Sequence, residues 1–181
     1  MKAFVAACAA FSLAMCGPVA AAEHSPERLC PAAIEPLDKF AEVTKGPQVN
    51  PEAVVEAAQR LESVYHTCAS TAIDNGRVEP EGHYDQVREA QFAYSASRSL
   101  LVLHRFDEAK TEADTAHKVA QAVFEWSPAT DHDALGANGR SDLTSNYKGT
   151  AQEILAQTDK VLDVLKKIAA AAASPAPSPA P

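Results

Sequence analysis

Apolar side chains recur along most of this chain at spacings of three and four, the period of one helix face. Leu37, Phe40 and Ala41 share one side of a short helix over about 36–45, which Gly46-Pro47 ends. Asn50-Pro51-Glu52 then supplies an N-cap, a first-turn proline and an acidic first turn. The helix that follows carries Val54, Ala57, Leu61, Val64 and Cys68 as its apolar stripe, and Asp74-Asn75-Gly76 stops it with a left-handed cap. A second long helix, over about 81–104, spreads Val87, Ala90, Phe92, Ala93, Tyr94, Ala96, Leu100, Leu101 and Leu103 around more than half its circumference. Arg88, Gln91, Ser95 and Arg98 fill the remaining polar wedge. So wide an apolar arc predicts packing on two sides, hence a central place in the fold.

The third helix opens at Phe106-Asp107-Glu108-Ala109 and ends near Trp126, with Ala109, Ala113, Ala116 and Ala120 as a stripe of small side chains. A polar segment over 127–140 leads to the last helix, which begins near Ser141 and has Gly149 as a weak point. There Ala151, Ile154, Thr158, Val161, Leu165 and Ile168 alternate by three and four, flanked by Leu155 and Leu162. The predicted fold is all-α: an antiparallel bundle of three long helices plus a short N-terminal helix, spanning 23–169. An Ala/Pro/Ser-rich tail over 170–181 has no core residues and is expected to be disordered.

The hairpin from Ala93 to Ala120 resembles a tetratricopeptide repeat. Small residues recur in that family at the eighth, twentieth and twenty-seventh positions, which Ser97, Ala109 and Ala116 match. Phe106 stands where the family's turn aromatic is common. The resemblance covers residues 93–126, and Ala93 replaces the family's early large residue. It implies a helical hairpin and hints at peptide or protein binding, although a solenoid needs at least three such units.

The N-terminal segment reads as an address. Lys2, an apolar run over Ala3–Met15 and the small residues Val19-Ala20-Ala21-Ala22 have the order of a secretory signal peptide over 1–22. The apolar run is too short to span a bilayer. Export to the periplasm or beyond is therefore expected. Leu13-Ala14-Met15-Cys16 is an alternative lipoprotein box, but Met15 is bulky where a small residue is required, so a lipid anchor on Cys16 is the lesser reading. With the signal removed, the net charge goes from -8 to about -9 and the four cysteines fall to Cys30 and Cys68. An exported chain with one cysteine pair is expected to hold a Cys30–Cys68 disulfide.

Charge and motif content narrow the function classes. The 24 acidic residues against 16 basic ones exclude nucleic acid and anionic lipid as main partners. No GxGxxG, P-loop, CxxC, CxxCH or GxSxG occurs, so common phosphate-cradling, redox, haem and serine-hydrolase chemistries lack their residues. No catalytic residue and no cofactor is predicted. Cleavage after Ala21 rather than Ala22 would leave Ala22-Glu23-His24, whose amine, amides and imidazole suit square-planar Cu(II) or Ni(II). Asp131-His132-Asp133-Ala134-Leu135-Gly136, with Asp142 at the twelfth place, partly imitates a calcium loop. Leu135 sits where a ligand is required, however, so a solvated acidic loop is the preferred reading. Glu62 with His66 and Asp114 with His117 are carboxylate–histidine pairs of a kind that can supply a metal in a helical bundle, but no Glu-x-x-His occurs; Glu62 and His66 read as an exposed i,i+4 pair, and His104 as a core histidine near a helix end. The function these features favour is a non-enzymatic envelope module that binds protein or peptide. The alternative is a metal-binding protein using His24, Asp131, His132 and Asp133.

Overall fold

The computed structural model describes residues 30–77, 82–125 and 141–173, with side chains in the last segment from Lys148 onward. Every element among them is helical. A 3-10 turn over Pro31–Ala33 leads into α1 (Ile34–Thr44), followed by α2 (Pro51–Asp74), α3 (His83–Val102), α4 (Phe106–Glu125) and α5 (Ser141–Ala173). The last four run to 24, 20, 20 and 33 residues, so the bundle has four long helices where three were expected. The alanine stripe is sufficient to seat α4 at full length, with Ala109, Ala113, Ala116, Ala120 and Val123 all buried. The helix also continues through Ala170–Ala173, which the expected boundary had assigned to the tail. Alanine has the best intrinsic helix propensity, and this stretch is solvent-exposed yet helical. The remaining tail, the signal segment, Cys16, His24 and the loop holding Asp131, His132 and Asp133 lie outside the described residues.

α3 takes the central place its wide apolar arc implied, packing against α2, α4 and α5, while α1 rides on α2. Val87, Ala90 and Ala93 of α3 meet Ala116, Ala120 and Val123 of α4 and Ala151 and Ile154 of α5 in one cluster. A second cluster joins Val55, Leu100, Ala109, Ala113, Val161 and Leu165 and so ties all four long helices together. The third lies under α1, where Cys30, Ala33, Leu61, Tyr65 and Phe92 are covered by Leu37 and Phe40. Cys30 and Cys68 are bonded there, with their Cα atoms 5.8 Å apart.

The helix ends follow local chemistry. Asn50 Oδ1 accepts the Glu52 N–H at 3.1 Å, and Pro51 occupies the first turn of α2. At the other end, Gly76 N–H bonds Ile73 C=O at 2.9 Å and Arg77 N–H bonds Ala72 C=O at 2.7 Å. This paired closure needs a left-handed residue, and Gly76 has φ 71°. α3 closes in the same way, with His104 N–H on Leu101 C=O at 3.2 Å and Arg105 N–H on Leu100 C=O at 3.0 Å. Here the left-handed residue is His104, at φ 59°. It is exposed, its ring edge-on to Phe106 at 5.7 Å, so it is not the core histidine expected from its place in the apolar arc. The turn swings its Cβ away from the helix face that periodicity assigned to it. A histidine in this conformation costs about 1 kcal/mol relative to glycine. We therefore expect His104→Gly to raise the melting temperature by about 3 °C, measured by circular dichroism; a lowered value would mean the Phe106 contact outweighs the strain.

Candidate functional site

α2 and α4 flank α3 and run parallel to each other, with a cleft of about 510 Å³ between them. α2 presents Gln59, Glu62, Ser63 and His66, a polar row at spacings of three and one beside its buried stripe. α4 presents Glu112 and Thr115, and Glu89 reaches the cleft from α3 beneath. At one end the walls come together where Val55 packs with Ala109 and Ala113. Near that end Arg105 bonds Glu52 at 3.0 Å and Glu108 at 2.6 Å, tying the α3–α4 turn to the start of α2.

Polar contacts cross the cleft. Gln59 Nε2 donates to Glu112 Oε1 at 2.6 Å. His66 Nδ1 lies 3.0 Å from Glu89 Oε1, although the His66 side chain is 67% exposed and that of Glu89 only 7%. Burial pushes the Glu62 carboxyl up to about 8, helped by its hydrogen bond to the Glu112 carboxyl, by the charge there and by that of Glu89. Glu62 thus holds a proton at neutral pH. Burial also raises Glu89, and its bond to His66 partly offsets the effect. The described lining has three carboxyls, one imidazole and no lysine or arginine. Such a site can exchange protons or neutralise a cationic group brought from outside. Among the described residues, no group of three or more His, Cys, Asp or Glu side chains is arranged to hold a metal ion.

The expected pairs are rearranged. Glu62 and His66 do not pair along α2; Glu62 faces Glu112 on α4, and His66 faces Glu89 on α3. Asp114 bonds Lys110 at 2.5 Å, and His117 lies 3.3 Å from Asp159 on α5. Cys30 and Cys68 are the one expected pair brought together. Glu89 and Glu112 did not stand out in the sequence. A signal existed for Glu89, which shares one helix face with Phe92, Ala93, Ala96 and Leu100. A carboxyl on such a stripe is either buried or aimed at a gap in the packing. No family model, curated protein or solved structure matches the chain.

Proposed function

We propose that this chain is an exported, non-enzymatic helical module that docks a cationic segment of an envelope protein or peptide in the cleft between α2 and α4. The observation that carries this reading is the lining itself: Glu62, Glu89 and Glu112 converge with no lysine or arginine beside them in the described lining. A lysine or arginine side chain entering there supplies the missing charge and can take charge-assisted hydrogen bonds, roughly twice as strong as neutral ones. Gln59, Ser63 and Thr115 add hydrogen-bonding groups on the walls. In this reading the tetratricopeptide-like hairpin of α3 and α4 forms the floor and one wall. The signal-like segment over 1–22 and the Cys30–Cys68 bond fit an oxidising compartment outside the cytoplasm.

Calorimetric titration with decapeptides containing a central arginine or lysine tests the proposal. Binding of the cationic peptides is expected, weakening about tenfold in Glu112→Gln, a loss of the size associated with one charged hydrogen bond. Equal binding of acidic peptides, no binding at all, or unchanged affinity in Glu112→Gln would each refute it.

A further inference from the structure

α1 is lightly seated. Of its own residues only Pro36 is buried, and Leu37 and Phe40 stay partly exposed where they pack on Leu61, Tyr65 and Phe92. Its ion pair to α2, Glu35 with Arg60 at 3.2 Å, lies in solvent and adds little. The two clusters that join α2, α3, α4 and α5 contain no residue of α1. Two covalent links hold the helix in place: the connector over 45–50 at one end and the Cys30–Cys68 bond beside the other. The two cysteines are unequal. Cys30 is completely buried, whereas Cys68 on α2 is partly exposed.

We propose that the Cys30–Cys68 bond is a redox-operated clasp on α1, opened by a dithiol that attacks Cys68, and that its opening lifts α1 off an aromatic face of α2 and α3. This device stands apart from the cleft between α2 and α4 and from whatever occupies it. Access decides which sulfur of a disulfide an incoming thiolate can reach, and burial closes the approach to Cys30. One thiolate of the dithiol bonds to the Cys68 sulfur as the Cys30–Cys68 bond breaks. Cys30 departs as a thiolate and takes a proton. The dithiol's second sulfur then closes on its first, releasing Cys68 as a thiol and leaving the reagent as a cyclic disulfide. Two electrons pass from the dithiol to the protein.

With the clasp open, α1 keeps one covalent attachment and the contacts of Leu37 and Phe40. An 11-residue helix is too short to persist without its packing partners, so the entropy of ordering it goes uncompensated. The face it leaves is aromatic: Tyr65 stacks on Phe92 at 5.7 Å, and the Arg88 guanidinium lies over Phe92 at 5.3 Å. α2 to α5 stay together, because their shared clusters do not draw on α1.

The test uses the full oxidised chain, dithiothreitol as the dithiol, and amide hydrogen exchange read by mass spectrometry over 34–44, 51–74 and 83–102. On reduction, exchange over 34–44 is expected to quicken by about a hundredfold while the other two segments keep their protection, and to slow again once the bond is re-formed. Glutathione, a monothiol that cannot complete the second step, should be trapped on Cys68 with Cys30 left open to alkylation. Unchanged exchange over 34–44 in the reduced chain would show that packing alone seats α1. Protection lost over 51–74 and 83–102 as well would make the bond a staple of the whole fold. Glutathione found on Cys30, or a bond that resists dithiothreitol until the chain is unfolded, would overturn the assigned route of attack and the clasp with it.

Discussion

Replacing Cys30 and Cys68 together by serine is expected to lower the unfolding free energy by about 4 kcal/mol. The bond closes a loop with a sequence separation of 38, and chain-entropy reasoning assigns roughly that value to a loop of this length. A domain of this size is stable by only about 5–15 kcal/mol, so the loss is a large share of the whole. The bond holds the 3-10 turn and α1 onto α2. α1 has only 11 residues, too few to be helical alone in water, and it needs its packing partners. Leu37 and Phe40 are those contacts: Phe40 stands edge-on to Phe92 at 5.1 Å, and Phe92 stacks on Tyr65 at 5.7 Å. With the bond gone, α1 should peel away before the other helices melt, exposing the buried Tyr65 ring. Urea unfolding followed both by circular dichroism and by tyrosine fluorescence checks this. Coincident transitions with a loss below about 1 kcal/mol would show that side-chain packing alone seats α1.

The long helices were legible because their signals are local. Caps such as Asn50-Pro51-Glu52 and Asn75-Gly76 act over one turn, and the stripes of α2 and α5 need only the helical period. The disulfide was legible from the parity of the two cysteines left once the signal-like segment is set aside. The cleft was not, because its bonds join residues 23 to 53 positions apart and no spacing rule links them. Tyr65 illustrates the same limit. It lies one residue from Val64 of the assigned stripe, yet it is fully buried under α1, and Arg88 from the supposed polar wedge lies over its ring at 5.7 Å and over Phe92 at 5.3 Å. A guanidinium stacked on two rings satisfies packing and charge together, so its wedge position did not mean exposure to water. Partner choice across helices is a property of the bundle, and α3 could be recognised as central without revealing which carboxyls it would carry inward.

The same partner choice makes the protein more stable in mild acid than in mild base. Glu62 ionises at about 8 in the folded chain against an ordinary 4.5. A raised folded value means that the folded state holds the proton more tightly than the unfolded one. Its stabilising contribution is complete below pH 4.5 and is lost as pH climbs through 8. In a dry site that difference would amount to roughly 5 kcal/mol, but the open cleft admits water and screens the charges, so about 2 kcal/mol is the expected loss. Glu89 is raised by burial and acts in the same direction. Glu42 and Glu108 are lowered by Lys39 and Arg105 and act in the opposite direction, but both are fully exposed and their effect is small. Glu62→Gln removes the ionisation while keeping the side-chain volume and a donor toward Glu112. Wild type and variant should therefore unfold at the same urea concentration at pH 4.5, and the variant should be more stable by about 2 kcal/mol at pH 9, near 6 °C in melting temperature. A variant less stable than wild type at pH 9 would show that the Glu62 carboxylate, rather than its protonated form, is what the fold accommodates.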